Sequence, residues 1–212
     1  MLRLKHEKIA CLIVLLFSFG MFYIGTDGFI AFTDEAARTA KLEKERPLLP
    51  KVTLEDNAKR EYTFDEFSGK YIFMTFFYTA CSTVCPELEK NVAEVYYEIP
   101  KQYIGEDIVF LSVSFDPERD TPDVLDRYRT YFGSDGETWR MARVNDEQEL
   151  DRLLEELGVI AIPDGQGDFQ HNVAFYVINK DGYLTDVLDF NDPKGATEKL
   201  LSLLEEEAGG TS

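Results

Sequence analysis

Residues able to hold a soft metal or carry redox chemistry are scarce in this chain, which has three cysteines and two histidines among its 212 residues. So few cysteines exclude a fold stapled by several disulfides. The charge balance excludes more. Forty acidic residues against 22 basic ones leave a net charge of −18, the wrong sign for charge-driven binding to nucleic acid or to an anionic membrane surface. No internal repeat and no low-complexity run occurs, so a repeat array is excluded as well. What remains is 44% hydrophobic and 13% aromatic, the composition of a globular protein with a sizeable core.

The N-terminus departs from this pattern. MLRLKHEK places Arg3, Lys5 and Lys8 ahead of IACLIVLLFSFGMFYI, a run of 16 uncharged residues, and Asp27 is the one charge between Ile9 and Thr33. GFIAF, just beyond, extends the apolar character. The pattern predicts a cytoplasmic segment over 1–8 and a single-pass membrane anchor over 9–32, with the basic end held inside and the remaining chain outside the cytoplasm. A cleaved signal peptide is the rival reading, but no small-x-small cleavage site directly follows the run. Cys11 stands at the start of the apolar stretch, where a lipid-attachment cysteine would follow it, and reads as a membrane-buried thiol. Residues 33–50 are charged, end in Pro47 and Pro50, and read as a stalk. The domain is expected over 51–206, with an acidic tail at 207–212.

Within the domain, strand and helix signals alternate. VTLED and REYTF suit a short hairpin turning near Asp56-Asn57. KYIFMTFFYTA is a continuous apolar and aromatic run, the mark of a strand buried on both faces. Leu88, Val92, Val95 and Ile99 then recur at helical spacing, with Pro86 in the first turn. IVFLSVSF is a second buried strand, followed by a helix with Thr121 as N-cap, and TWRMARV is a third strand. Asp146 and Glu149 predict a capping box on the next helix. VAFYVINKDGYLTDVLDF reads as a hairpin around Lys180-Asp181-Gly182, and Thr197 as the cap of a closing helix. This order describes an α/β sandwich of thioredoxin type.

In that architecture the loop after the first buried strand ends at a helix N-terminus, and there the sequence places FFYTACSTVCPEL. Cys85 immediately precedes the expected helix, whose free N–H groups and dipole favour a thiolate. Cys81 lies about one turn earlier, near enough for both sulfurs to meet one small ion. His6 falls on the cytoplasmic side of the anchor, which leaves His171, at the end of the glycine-rich loop IPDGQGDFQH, as the domain's one imidazole. A lone histidine is more often an ordinary core or surface residue. Two thiolates and an imidazole nevertheless suit a soft, low-coordinate ion: Cu(I), or Cu(II) with added oxygen ligands. A structural zinc site usually takes four nitrogen or sulfur ligands. Met74, Met141 and Trp139 each sit in an expected strand, where core packing accounts for them.

Taken together, FFYTACSTVCP, SVSFDPERDTP and QHNVAFYVINKDG, in this order and spacing, resemble the Sco/SenC family of copper proteins over roughly residues 48 to 206. The resemblance implies a membrane-tethered thioredoxin-like domain that binds one copper ion and helps assemble the binuclear copper centre of cytochrome c oxidase. It implies Cys81, Cys85 and His171 as the copper ligands and Asp116 as an acidic neighbour of the site. It also implies two partners, the copper-bearing oxidase subunit and a thiol reductant. Many members carry a proline directly after the first cysteine, where this chain has Ser82, a change expected to alter the stiffness of the loop and not the ligand set. Three rivals stay open. The first is a metal-free thiol-disulfide oxidoreductase in which Cys81 and Cys85 form a redox-active dithiol, although such enzymes usually space the pair as CxxC. The second is a thiol peroxidase, which expects a proline where this chain has Tyr78. The third is a scaffold that binds oxidase subunits without using its thiols.

Overall fold

Seven strands hydrogen-bond into one sheet, and the chain reaches them only after two helices. The computed structural model describes residues 2–25, 34–165 and 167–210. Its residues fall into two compact units, one ending at Lys44 and the other beginning at Glu45. In the first unit, α1 (Leu2–Gly25) carries the uncharged run and α2 (Asp34–Glu45) occupies most of the expected stalk. Leu12, Leu15, Leu16 and Phe17 of α1 are all exposed, Phe17 to 68%. No helix among the described residues is long and apolar enough to cross a membrane. Residues 26–32 of the expected anchor lie outside the described residues.

The second unit is a mixed α/β fold. Its strands are β1 (Leu54–Asp56), β2 (Glu61–Tyr62), β3 (Tyr71–Phe77), β4 (Ile108–Ser114) and β5 (Trp139–Val144), then β6 (Ala161–Pro163), β7 (Phe169–His171), β8 (Phe175–Ile178) and β9 (Leu184–Leu188). The order across the main sheet is β2-β1-β5-β4-β3-β8-β9. β3, β4 and β5 run parallel, while β8 pairs antiparallel with β3 and β1 antiparallel with β5. Every residue of β3 and of β4 is buried, as their unbroken apolar runs require of central parallel strands. The crossovers are α3 (Val84–Glu98) and α4 (Pro122–Arg129), followed by α5 (Glu147–Glu156) and the closing α6 (Pro193–Gly210). Helix α3 packs against α6, and α4 against β5. Met74, Met141 and Trp139 are fully buried in their strands.

Four local expectations need correction. Cys85 does not precede α3 but is its second residue, after Val84; Thr83 stands at the N-cap position, yet its side chain makes no capping bond. The loop leading to His171 is instead a two-stranded ribbon, β6 paired antiparallel with β7; its strands are three residues each, too short for a periodic signal. Thr197 lies inside α6, where its hydroxyl donates to the Pro193 carbonyl (2.9 Å). Asp192 does the capping, its carboxylate accepting from the Gly195 N–H (3.0 Å), and Pro193 fits the first turn because it has no N–H to satisfy. At α5, Asp146 accepts from the Glu149 N–H as expected (2.9 Å). The Glu149 carboxylate does not close the box and accepts from the Thr53 N–H instead (2.6 Å).

One acid is fully buried between α3 and the sheet. Glu89 accepts from the Ser112 hydroxyl (2.9 Å), which in turn accepts from the Trp139 indole N–H (3.1 Å). Its other oxygen, Oε1, has no partner. Burial drives the Glu89 carboxyl up to about 8, against the smaller opposing effect of the Ser112 hydrogen bond. Between pH 4.5 and 8 the folded protein therefore holds a proton on Glu89 that the unfolded chain has lost, so this group makes stability fall as pH rises through that window. Glu89→Gln, which cannot ionise, is expected to flatten that fall and to be more stable than the unaltered protein at pH 8 by several kcal/mol. Denaturant unfolding of both proteins between pH 5 and 8 measures the difference.

Candidate metal centre

The site forms where β3 and β4 end. After Phe77 the chain leaves the sheet, and Asp120 catches it: its carboxylate accepts from the Thr79 N–H (3.0 Å) and the Thr79 hydroxyl, and also from the Ser114 hydroxyl at the end of β4 (2.5 Å). Asp120 is wholly buried. Burial pushes its carboxyl up, opposed by these same hydrogen bonds. With Thr79 held, a turn closes from the Cys81 N–H to the Tyr78 carbonyl (3.3 Å) and presents the first thiol to the start of α3.

There Cys81 takes the place of the missing helix cap. Its Sγ accepts from the Cys85 N–H (3.3 Å) and lies 3.7 Å from the Thr83 hydroxyl. A free N–H in the first turn of a helix is an orphan donor that a cap normally satisfies, and here a sulfur satisfies it. The consequence is a sharp asymmetry between the thiols. For Cys81 the largest influence is burial, which pushes the thiol up, but the backbone N–H groups of Cys85 and Thr83 with their side chains outweigh it and bring the thiol down to about 6. For Cys85 burial again dominates and pushes the thiol far up, and the neighbouring Cys81 sulfur and the charges of Glu89 and Asp120 push the same way.

His171 enters from β7. Its Nε2 lies 3.8 Å from the Cys85 sulfur, and its ring packs against Tyr78 (5.7 Å between centroids) and Phe115 (5.3 Å). Nδ1 lies 3.2 Å from the Asn172 carbonyl. A carbonyl can only accept, so the network assigns the proton to Nδ1 and leaves the Nε2 lone pair facing the sulfurs. The candidate ligand atoms of Cys81, Cys85 and His171 all lie within 4.8 Å of one another, and among the described residues they form the one such group. Both thiols are free. One sulfur ready to ionise, a second sulfur and an imidazole lone pair converge at a buried point, and this donor set fits a soft ion with few ligands.

The structure thus brings together Cys81, Cys85 and His171, as the sequence suggested, and sets Asp116 to one side. The Asp116 carboxylate is held by the Arg119 guanidinium and is not part of the three-residue group. Asp120, Thr83 and Arg119 escaped the sequence reading. Asp120 and Arg119 lie in the quoted SFDPERDTP, where an acid and a base close behind Asp116 were the available signal. A cavity of about 340 Å³ lined by residues that include Leu49, Phe64, Phe67 and Ile72 lies at the other end of β3 and has no cysteine or histidine in its lining.

A dithiol at the start of a helix, after the buried strand β3 of a thioredoxin-like sheet and facing an imidazole from an adjoining ribbon, defines an α/β protein built for thiol or soft-metal chemistry. The chain belongs to the SCO1/SenC family, whose model matches residues 41–205. It is 26% identical over 156 residues to a putative copper-binding protein of Stutzerimonas stutzeri, covering 71% of this chain and 72% of that one. It is 28% identical over 170 residues to the human mitochondrial SCO1 homolog, covering 74% of this chain but only 55% of the human protein. Among solved structures, copper-bound Bradyrhizobium japonicum ScoI shares the fold with a TM-score of 0.63 at 24% identity, over 73% of this chain and 98% of that one.

The capped sulfur generates a direct expectation. Alkylation of Cys81 in the reduced protein should rise with pH through a midpoint near 6 and level off by neutral pH, because the reactive species is the thiolate. Cys85 should stay unmodified across the same range. Mass spectrometry of the two labelled positions after timed exposure to a small alkylating reagent checks both statements; a Cys81 midpoint near that of a free cysteine would show that the Cys85 N–H does not hold the thiolate.

Proposed function

We propose that this protein is a membrane-anchored copper chaperone that takes one copper ion through Cys81, Cys85 and His171 and helps assemble the binuclear copper centre of cytochrome c oxidase. The observation that carries the reading is the convergence of those three donor atoms within 4.8 Å in a chain of the SCO1/SenC family. At neutral pH Cys81 is largely thiolate and offers the first bond. Cys85 gives up its proton on binding, since the ligand is the thiolate. His171 closes as third ligand through Nε2, its Nδ1 proton held on the Asn172 carbonyl. Release follows by ligand exchange, with thiols of the copper-bearing oxidase subunit replacing these ligands one at a time so that the ion is never free. The exposed apolar side chains of α1 and the sequence position of that run behind Arg3, Lys5 and Lys8 support an anchor, and basic residues kept on the cytoplasmic side support a domain outside the cytoplasm.

The unequal thiols favour a second reading, thiol-disulfide reduction. The Cys81 thiolate attacks a partner disulfide and expels one partner thiolate, forming a mixed disulfide. Cys85 then loses its proton and attacks the Cys81 sulfur, which releases the second partner thiol and leaves Cys81 and Cys85 joined. A thiol reductant must restore the pair.

Anaerobic copper titration of the reduced protein separates the readings. One equivalent should bind tightly, Cys81→Ser and Cys85→Ser should each abolish tight binding, and His171→Ala should weaken it by about tenfold to a hundredfold while leaving the dithiol able to form a disulfide. Absence of tight binding, with a readily cycled disulfide, would place reduction first. The anchor has its own check. A full-length chain that resists alkaline carbonate extraction from membranes is expected, whereas a shortened, extractable chain would favour the cleaved signal peptide.

A further inference from the structure

His171 is carried by a ribbon that does not belong to the main sheet: β6 and β7 pair with each other in a sheet of their own. Ile162 on β6 is exposed, and Phe169 on β7 is half-buried with its ring against Tyr78 and Phe115 (5.2 Å), so only a few ring contacts dock the ribbon. Asn172, next to His171, ties the base of the ribbon to Ile160 and Gly158, and its far end is held by side chains that reach across to it. Arg119, in the loop between β4 and α4, makes such a reach. Its Nη1 donates to the Gly167 carbonyl in the turn of the ribbon (2.5 Å), and Gly167 adopts a φ of +97° that few other residues tolerate. Its Nε donates to the Asp116 carboxylate. Its guanidinium carbon stands 5.8 Å from the ring centroids of both Tyr78 and Phe169. Those two rings meet edge to face (5.1 Å), and Tyr78 also meets His171.

We propose that Arg119 is the positioning residue that clasps the His171 ribbon to the dithiol loop, with the buried Asp116 carboxylate holding the guanidinium in place. The inference rests on the proposed ligand role of His171 for its consequence in copper binding, but not for the clasp itself. An exposed ion pair alone would contribute little, and the Arg119 side chain is 41% exposed. Its value lies in geometry, because one planar fork donates in two directions while its face lies near two rings. The same arrangement gives Asp116 a role without contact to the metal: it orients Arg119, and Arg119 orients the ribbon.

The test uses the full-length protein and has two arms. In the metal-free, reduced state, Arg119→Ala is expected to speed amide hydrogen exchange in residues 160–171 by about tenfold, with exchange in α6 and the thermal midpoint unchanged. Asp116→Asn should give a smaller change in the same segment. In the copper arm, Arg119→Ala should weaken retention of one copper ion by about as much as His171→Ala, and the double variant should be no weaker than His171→Ala alone, since a clasp has nothing to position once the imidazole is gone. Unchanged exchange in the ribbon overturns the proposal whatever copper does. Additive losses in the double variant overturn it as well, because they would mean that Arg119 acts on the ion through another route. If His171→Ala retains copper fully, the ligand assignment falls, and ribbon exchange alone decides whether Arg119 is a clasp.

Discussion

A single buried carboxylate governs the shape of the site. Asp120 accepts hydrogen bonds from the backbone and side chain of Thr79 and from Ser114, and so ties the chain leaving β3 to the end of β4. A carboxylate out of water is costly unless its lone pairs are used, and three donors use them here. With Thr79 held, the turn to Cys81 closes, the Cys81 sulfur meets the free N–H of Cys85 in the first turn of α3, and Cys85 lies within the helix. Each later feature of the dithiol follows from where that loop is pinned.

The two cysteines are chemically unlike for reasons of position. Cys81 accepts a hydrogen bond from a helix N–H, and Cys85 has been carried into the helix and faces the interior, with Glu89 one turn further on. A pair in which one sulfur ionises easily and the other resists can serve metal capture and disulfide exchange alike, because both begin with one ready thiolate. Metal binding differs in gaining from a further donor, which disulfide exchange does not use. His171 offers one more donor beside the sulfurs, its Nε2 lying 3.8 Å from the Cys85 sulfur, and this is a feature that a bare dithiol enzyme has no need of.

His171 and the cysteines come from parts of the chain held together by different forces. The cysteine loop is anchored by buried hydrogen bonds to the central strands. The histidine ribbon rests on ring contacts with Tyr78 and Phe115 and on Arg119. The two halves of the site are therefore held independently, the thiols by the central strands and the imidazole by its ribbon.

Much of this was legible along the chain. The all-buried β3 and β4 follow from uninterrupted apolar runs, the start of α4 from Thr121-Pro122, and the candidate donors from the scarcity of cysteine and histidine, which left few choices. Local chemistry determines such features, because neighbours in sequence decide propensity, capping and burial pattern. Other features were not legible because they depend on groups far apart in sequence. That Glu149 accepts from Thr53 and leaves its capping box half open, that the loop before His171 is a ribbon, and that Asp116 faces Arg119 and not the metal donors are all outcomes of packing. The unequal thiols belong to the same group: sequence placed Cys85 at a helix start, but only the folded loop decided that Cys81 would receive its N–H. Sequence by itself determined the strands of the main sheet, the starts of α4 and α5 and the candidate donors; tertiary structure decided the distances between those donors and their proton affinities, since both depend on burial and on hydrogen bonds between segments that meet only when the chain folds.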